Sequence, residues 1–176
     1  KDEAQFNKIL QKEIKNHDLV IVSDYGHGLI SKRSAKLICK KSKFLALNAQ
    51  VNASNIGYHT IRNYKNFNTL IINEKEIRHE MRDKISKLEN LMSNLSKEKN
   101  INNLIVTMGK SGSILYNKAQ NKFFYSEAYA HKIVDKVGAG DTMLSIIGPC
   151  LKSKLEIDIT LLISSLAAAQ SVETMG

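Results

Sequence analysis

The sequence predicts an α/β fold, a three-layer αβα sandwich on a mostly parallel central sheet. Short, β-branched apolar runs alternate along the chain with stretches of helical periodicity: Leu19-Val20-Ile21-Val22, Phe44-Leu45-Ala46-Leu47, Leu70-Ile71-Ile72 and Leu104-Ile105-Val106-Thr107. Unbroken runs of this length read as strands buried on both faces, and strand–helix alternation is how a parallel sheet is covered. A polar or glycine-bearing cluster follows each run: Asp24-Tyr25-Gly26, Asn48 onward, Asn73 to Glu76, and Thr107 to Gly109. In open α/β sheets ligands sit beyond the carboxyl ends of the strands, so these clusters converge on one expected site.

Taken in order, Phe6, Ile9, Leu10 and Ile14 recur at helical spacing and predict an amphipathic helix ending near Asn16-His17. The first strand stops at the glycine-rich turn Asp24 to Gly28, and Ser31 is placed to cap a helix carrying Leu37 and Ile38. After the second strand, Asn48 to Asn55 reads as a loop, being rich in Asn and small residues. The third strand leads into one long expected helix with Ile77, Met81, Ile85, Leu88 and Met92 as its buried stripe. Gly109 and Gly112 turn the chain after the fourth strand into Ser113 to Tyr116, with Lys122 to Tyr125 as a hairpin partner. Two helices close the chain, Thr142 to Leu151, which Gly148-Pro149 should end or bend, and the largely apolar Ile157 to Met175. No repeat or linker divides the 176 residues, which read as one domain.

Composition narrows the function. With 43% hydrophobic and 24% charged residues the chain is an ordinary globule rather than a disordered one, and no apolar run reaches membrane-spanning length. Cys39 and Cys150 are far apart with no CxxC pattern, which excludes a disulfide scaffold or zinc finger and points to a reducing cytoplasm. The net charge of +9 is spread through the chain without dense basic blocks or interleaved aromatics, so it reads as solvated faces rather than a nucleic-acid groove. His17, His59, His79 and His131 lack ligand spacing, and both cysteines read as buried apolar residues.

Two phosphate motifs fail on inspection. Gly109-Lys110-Ser111 imitates a P-loop, but position 104, where the first glycine is needed, is Leu. Gly26-His27-Gly28 imitates a dinucleotide fingerprint, but its third glycine position is Ser31. Gly138-Ala139-Gly140-Asp141 is the stronger signal. Small residues entering a helix let main-chain N–H groups meet phosphate oxygens, and the helix dipole favours the anion. A carboxylate at the end of that nest can take a proton from an attacking hydroxyl. Alone, the same four residues read more readily as a tight turn with Asp141 as a helix cap.

The wider pattern resembles a family. Asp135 to Thr142 is similar to the DTxGAGDxF block of the ribokinase-like (PfkB) carbohydrate kinases, Asn73-Glu74-Lys75-Glu76 to their NxxE motif, and Thr107 to Gly112 to their nucleotide-site T-x-G-x-x-G. The three occur in the family's order, and Ser23 to Gly28 resembles the SDYxKG segment of its heptose-phosphate kinases. The resemblance implies ATP-dependent phosphorylation of a sugar or sugar-phosphate hydroxyl. Asp141 becomes the base, Gly138, Ala139 and Gly140 the anion hole, and Thr107, Gly109 and Gly112 the nucleotide wall. Asn73 and Glu76 hold Mg²⁺ through water beside the ATP phosphates, and Asp135 is the candidate for a K⁺-type monovalent cation site. It also implies a ribokinase-like sheet, and it allows a homo-oligomer and fusion to a nucleotidyltransferase domain.

Family members carry further sequence ahead of this region, with a diglycine sugar-binding segment and a β lid. The chain is therefore expected to be the C-terminal, nucleotide-binding portion of a kinase domain, binding nucleotide weakly by itself. The rival readings are a non-catalytic nucleotide-binding or regulatory module of the same fold, and a basic nucleic-acid-binding domain.

Overall fold

Alternation of side chains along the strands divides the apolar residues between two cores. The computed structural model describes residues 2–50, 60–132, 134–135 and 138–174. Strands β1 (Val20–Asp24), β2 (Leu45–Ala49), β3 (Phe67–Asn73) and β4 (Ile101–Thr107) lie side by side in that order and parallel. β5 (Ser113–Asn117) and β6 (Lys122–Ser126) extend the sheet antiparallel beyond β4.

On one face Leu45, Leu47, Leu70, Ile72, Leu104 and Val106 pack beneath helices α1 (Asp2–Ile14), α2 (Lys32–Lys41), α3 (Glu74–Glu80) and α4 (Leu88–Lys99). On the other, Ala46, Ile71, Ile105 and Leu115 pack beneath α5 (Ala139–Lys152) and α6 (Ile157–Glu173). Neighbours in sequence thus serve opposite cores, the period of two that a pleated strand imposes. Each of these buried branched side chains stabilises the fold by about 1.5–3 kcal/mol. The expected three-layer α/β architecture is present, and among the described residues no helix is long and apolar enough to cross a membrane.

The structure departs from the sequence expectation in several places. The single long helix after β3 is two helices, α3 and α4, and Ile85, expected in its buried stripe, is 96% exposed. Asp83 accepts hydrogen bonds from the N–H groups of Ile85 and Ser86 and from the Ser86 hydroxyl, while Arg82 takes a φ of +52°. A short carboxylate that captures main-chain donors in this way offers the backbone an alternative to the helix. Asn48, expected to open a loop, lies inside β2. α5 starts at Ala139 rather than Thr142 and ends at Lys152, one residue beyond the expected Leu151, with Gly148-Pro149 inside it rather than at its end. Cys39 and Cys150 are half-buried rather than fully enclosed, and burial pushes the Cys39 thiol up, which keeps it protonated. Residues 51–55 of the expected loop, His59, Lys136, Val137 and Met175 lie outside the described residues.

Gly148 sets how α5 lies on the sheet. A β-carbon there would stand 3.3 Å from Ala46 Cβ and 3.5 Å from Ile21 Cδ1, so the missing side chain lets the helix settle over β1 and β2. Its first turn then arrives at the edge where the parallel strands end.

Candidate functional site

The strand register brings the predicted clusters together. Ser23 and Asp24 pair with Asn48 and Ala49, and Asn73 pairs with Thr107, so the ends of β1 to β4 form one continuous rim. Along that rim lies an open cavity of about 1260 Å³. Its wall includes Asn73, Glu76, Thr107, Gly109 and Gly112 from the sheet side, and Gly138, Ala139, Gly140 and Asp141 from the head of α5. Asp135 does not line it; that residue is exposed, and its N–H donates to the Val172 carbonyl at the far end of α6.

Gly138 is the N-cap of α5, with a φ of +84° that favours glycine, and no side chain caps the helix. The first intrahelical bond runs from Thr142 N–H to the Gly138 carbonyl at 2.8 Å, which leaves the amides of residues 139 to 141 without a helical acceptor. Asp141 is therefore not the cap but sits at the third helical position. Its carboxylate is taken by two hydroxyls, Ser23 Oγ donating to Oδ1 and Tyr25 Oη to Oδ2, both at 2.5 Å. The hydrogen bond to this carboxylate pushes the Tyr25 phenol above its ordinary value. Val134 and Asp135 N–H both donate to the Val172 carbonyl, at 2.8 and 3.1 Å, holding the segment ahead of the helix against α6, and within the first turn of α5 Thr142 Oγ1 donates to Ser171 Oγ at 3.2 Å.

Asn73 and Glu76 form a reciprocal cap on α3. Asn73 Oδ1 accepts from Glu76 N–H at 2.9 Å, and Glu76 Oε2 accepts from Asn73 N–H at 3.0 Å. The N-x-x-E spacing is thus also a capping box, which fixes the Glu76 carboxylate at the cavity wall. The two glycines after Thr107 differ. Gly109 has a φ of +60° and open space where a side chain would stand. A β-carbon on Gly112 would lie 2.0 Å from the Ser126 carbonyl oxygen, so this glycine lets β6 approach.

Sequence reasoning assigned no role to Ser23, Tyr25 or Asn48, nor to the lysines at 75, 110 and 132 that also line the cavity. Those lysines and the head of α5 make the wall attractive to a polyanion. The Asn48 amide stands against Gly140, 3.2 Å from where a β-carbon would lie. Tyr25 and Asn48 carried a signal as polar residues closing apolar runs, and Ser23 and Tyr25 lie in the segment that resembles SDYxKG, but none of these signals gave a role.

Comparison with known proteins settles the class. A family profile described as "pfkB family carbohydrate kinase" matches residues 2–176. The chain belongs to the PfkB family. Among similar curated proteins, the Bifunctional protein HldE of Campylobacter curvus is 30% identical over 177 residues, covering 99% of this chain and 36% of that protein. HldE of Campylobacter concisus is 31% identical over 160 residues, 89% of this chain and 33% of the relative. The PfkB chain thus spans about a third of the length of these relatives. Among solved structures, ribokinase from Thermotoga maritima superposes with a TM-score of 0.75 at 19% identity, covering 94% of this chain and 54% of that one. Phosphofructokinase-2 from Escherichia coli in complex with potassium gives 0.77 at 11% identity, covering 97% and 56%. At these identities the likeness shows the fold.

Proposed function

We propose that this chain carries the nucleotide site and the catalytic base of a kinase that phosphorylates a hydroxyl of a sugar or sugar phosphate, with a heptose phosphate as the first acceptor to try. One observation carries the reading: the Asp141 carboxylate and three uncapped amides stand together at the rim that also holds Asn73, Glu76 and Thr107. The acceptor oxygen forms a bond to the γ-phosphorus of ATP as the bond from that phosphorus to the β–γ bridging oxygen breaks. ADP leaves with the electron pair, and the hydroxyl proton passes to Asp141 and then to water. The amides of residues 139 to 141 stabilise the charge on the phosphoryl group in flight, the electrostatic task that dominates phosphoryl transfer. Thr107, Gly109 and Gly112 provide the wall for the nucleotide.

The donor set fits Mg²⁺. Among the described residues no group of three or more His, Cys, Asp or Glu could form a protein-only metal cage. Mg²⁺ asks instead for one or two carboxylates, with water and phosphate oxygens completing its shell. Glu76, with Asn73 beside it, would hold the ion through water, where it neutralises phosphate charge. Asp135 remains the candidate for a monovalent cation. Fusion to a nucleotidyltransferase domain belongs to the same proposal, supported by the bifunctional name and greater length of the HldE relatives. The test is ADP release by the complete gene product against a panel of sugars and sugar phosphates with ATP and Mg²⁺. Turnover with a phosphorylated sugar supports the reading, and silence across the panel overturns it.

A further inference from the structure

A general base at the third position of a helix hangs from a flexible side chain, and nothing within α5 holds Asp141 in place. What holds it comes from β1. Strand alternation turns Val22 and Asp24 toward the first core, leaving Ser23 and the following Tyr25 on the face that meets α5. The strand end is itself anchored: Asp24 accepts from the Tyr64 hydroxyl at 2.8 Å and from Gly26 N–H at 3.0 Å, and Tyr64 is fully buried. Burial and then the Asp24 charge push the Tyr64 phenol up, so it remains a donor to that carboxylate. In register, Ser23 lies beside Asn48, whose amide rests against Gly140. Adjacent residues on β1 and β2 therefore meet adjacent residues in the first turn of α5.

We propose that Ser23 and Tyr25 are the positioning residues of the phosphoryl-transfer site, fixing the Asp141 carboxylate with one hydroxyl on each oxygen. The inference rests on Asp141 being the base. With Oδ1 held by Ser23 and Oδ2 by Tyr25, the plane of the carboxylate is set before any acceptor arrives. The two donors divide the work. Ser23 stands outside the cavity and is the rear tether, whereas Tyr25 lines it beside Asp141. A carboxylate oxygen has two lone pairs, so Oδ2 can keep Tyr25 on one and receive the acceptor O–H on the other. The phenol thereby directs the incoming hydroxyl to the remaining lone pair. Misplacing a reacting group by about 1 Å costs on the order of 10²-fold in rate, which sets the scale such a tether can control.

The experiment is steady-state kinetics of Ser23→Ala, Tyr25→Phe, Ser23→Thr and Asp141→Asn in the full-length protein, with the acceptor that serves in the sugar-phosphate panel, alongside ATP binding by calorimetry. Ser23→Ala and Tyr25→Phe are each expected to lower kcat about tenfold with ATP affinity unchanged, and Ser23→Thr, which restores the hydroxyl, to recover most of it. Wild-type kcat in both Ser23→Ala and Tyr25→Phe, while Asp141→Asn is inactive, overturns the positioning role and leaves the base assignment standing. A loss that Ser23→Thr does not recover, or one carried by ATP affinity, is a packing effect and overturns it too. Full turnover in Asp141→Asn, or none in the wild type, instead overturns the underlying kinase reading.

Discussion

Asp141 and Gly112 show how differently two residues of one cavity earn their places. Asp141→Asn keeps the shape of the side chain and its place in α5 but removes the proton acceptor. Turnover should fall by roughly 10²-fold or more while ATP binding persists, measured by ADP release and calorimetry. A non-catalytic nucleotide-binding module would have no turnover to lose, so the same variant separates the two readings. Gly112 serves the fold as well as the site. Its φ of +83° and the Ser126 carbonyl 2.0 Å from a would-be β-carbon leave no room for alanine. Gly112→Ala should lower stability by about 2 kcal/mol or more, seen as a fall in urea midpoint, because neither backbone can yield without breaking the β5–β6 pairing.

At the scale of an element, α3 has a capping box that one substitution can part from the proposed Mg²⁺ role. Glutamine serves a capping box as well as glutamate does, so Glu76→Gln should change stability by less than about 1 kcal/mol. If the carboxylate also holds Mg²⁺, the same variant should lose on the order of tenfold in kcat and need more Mg²⁺ for half-maximal rate. Unchanged Mg²⁺ dependence would reduce Glu76 to a cap. The break between α3 and α4 has its own signature in pH. Hydrogen bonds from the Ser86 hydroxyl and the Ser86 and Ile85 amides hold the Asp83 carboxyl down to about 2. A depressed carboxyl contributes order above its ordinary value of 3.8 and loses it as pH falls through the folded value. The amides of Ile85 and Ser86 should therefore stay protected from exchange at neutral pH and lose protection between about pH 4 and pH 2, a window absent in Asp83→Asn.

Over the whole molecule, the two faces of the sheet are not equally finished. α6 buries Leu161 but leaves Ile159, Leu162, Ile163 and Leu166 between 41% and 47% exposed, and Ile21 on β1 is 43% exposed. Clustered exposed apolar residues of this kind promote association. The isolated 176-residue chain should bind a hydrophobic dye and scatter light at moderate concentration, and the paired change Leu162→Gln with Leu166→Gln should lessen both. The chain covers about a third of its HldE relatives and about half of ribokinase, so any test of catalysis belongs to the full-length protein.

The apolar runs and their spacing were enough to read the α/β class, the succession of strands along the chain and the polar clusters at their ends, because a strand buried on both faces leaves an unbroken apolar signature. The glycine-rich head of α5 was legible too, once Gly138 to Asp141 was read together with Asn73 to Glu76 and Thr107 to Gly112. Local side-chain capture was harder to see: Asp83 broke a helix whose periodicity looked continuous, and only its hydrogen bonds to residues 85 and 86 reveal why. Ser23 and Tyr25 were legible as part of a strand-end segment, but their pairing with Asp141 was not. Ser23 and Tyr25 precede it by more than a hundred residues, and no periodicity relates a strand end to a distant helix start. What the amino-acid sequence determined by itself was which segments are buried and which polar turns close the strands. The tertiary structure decided which hydroxyls meet the carboxylate, because that depends on how Gly148 seats α5 against β1 and β2.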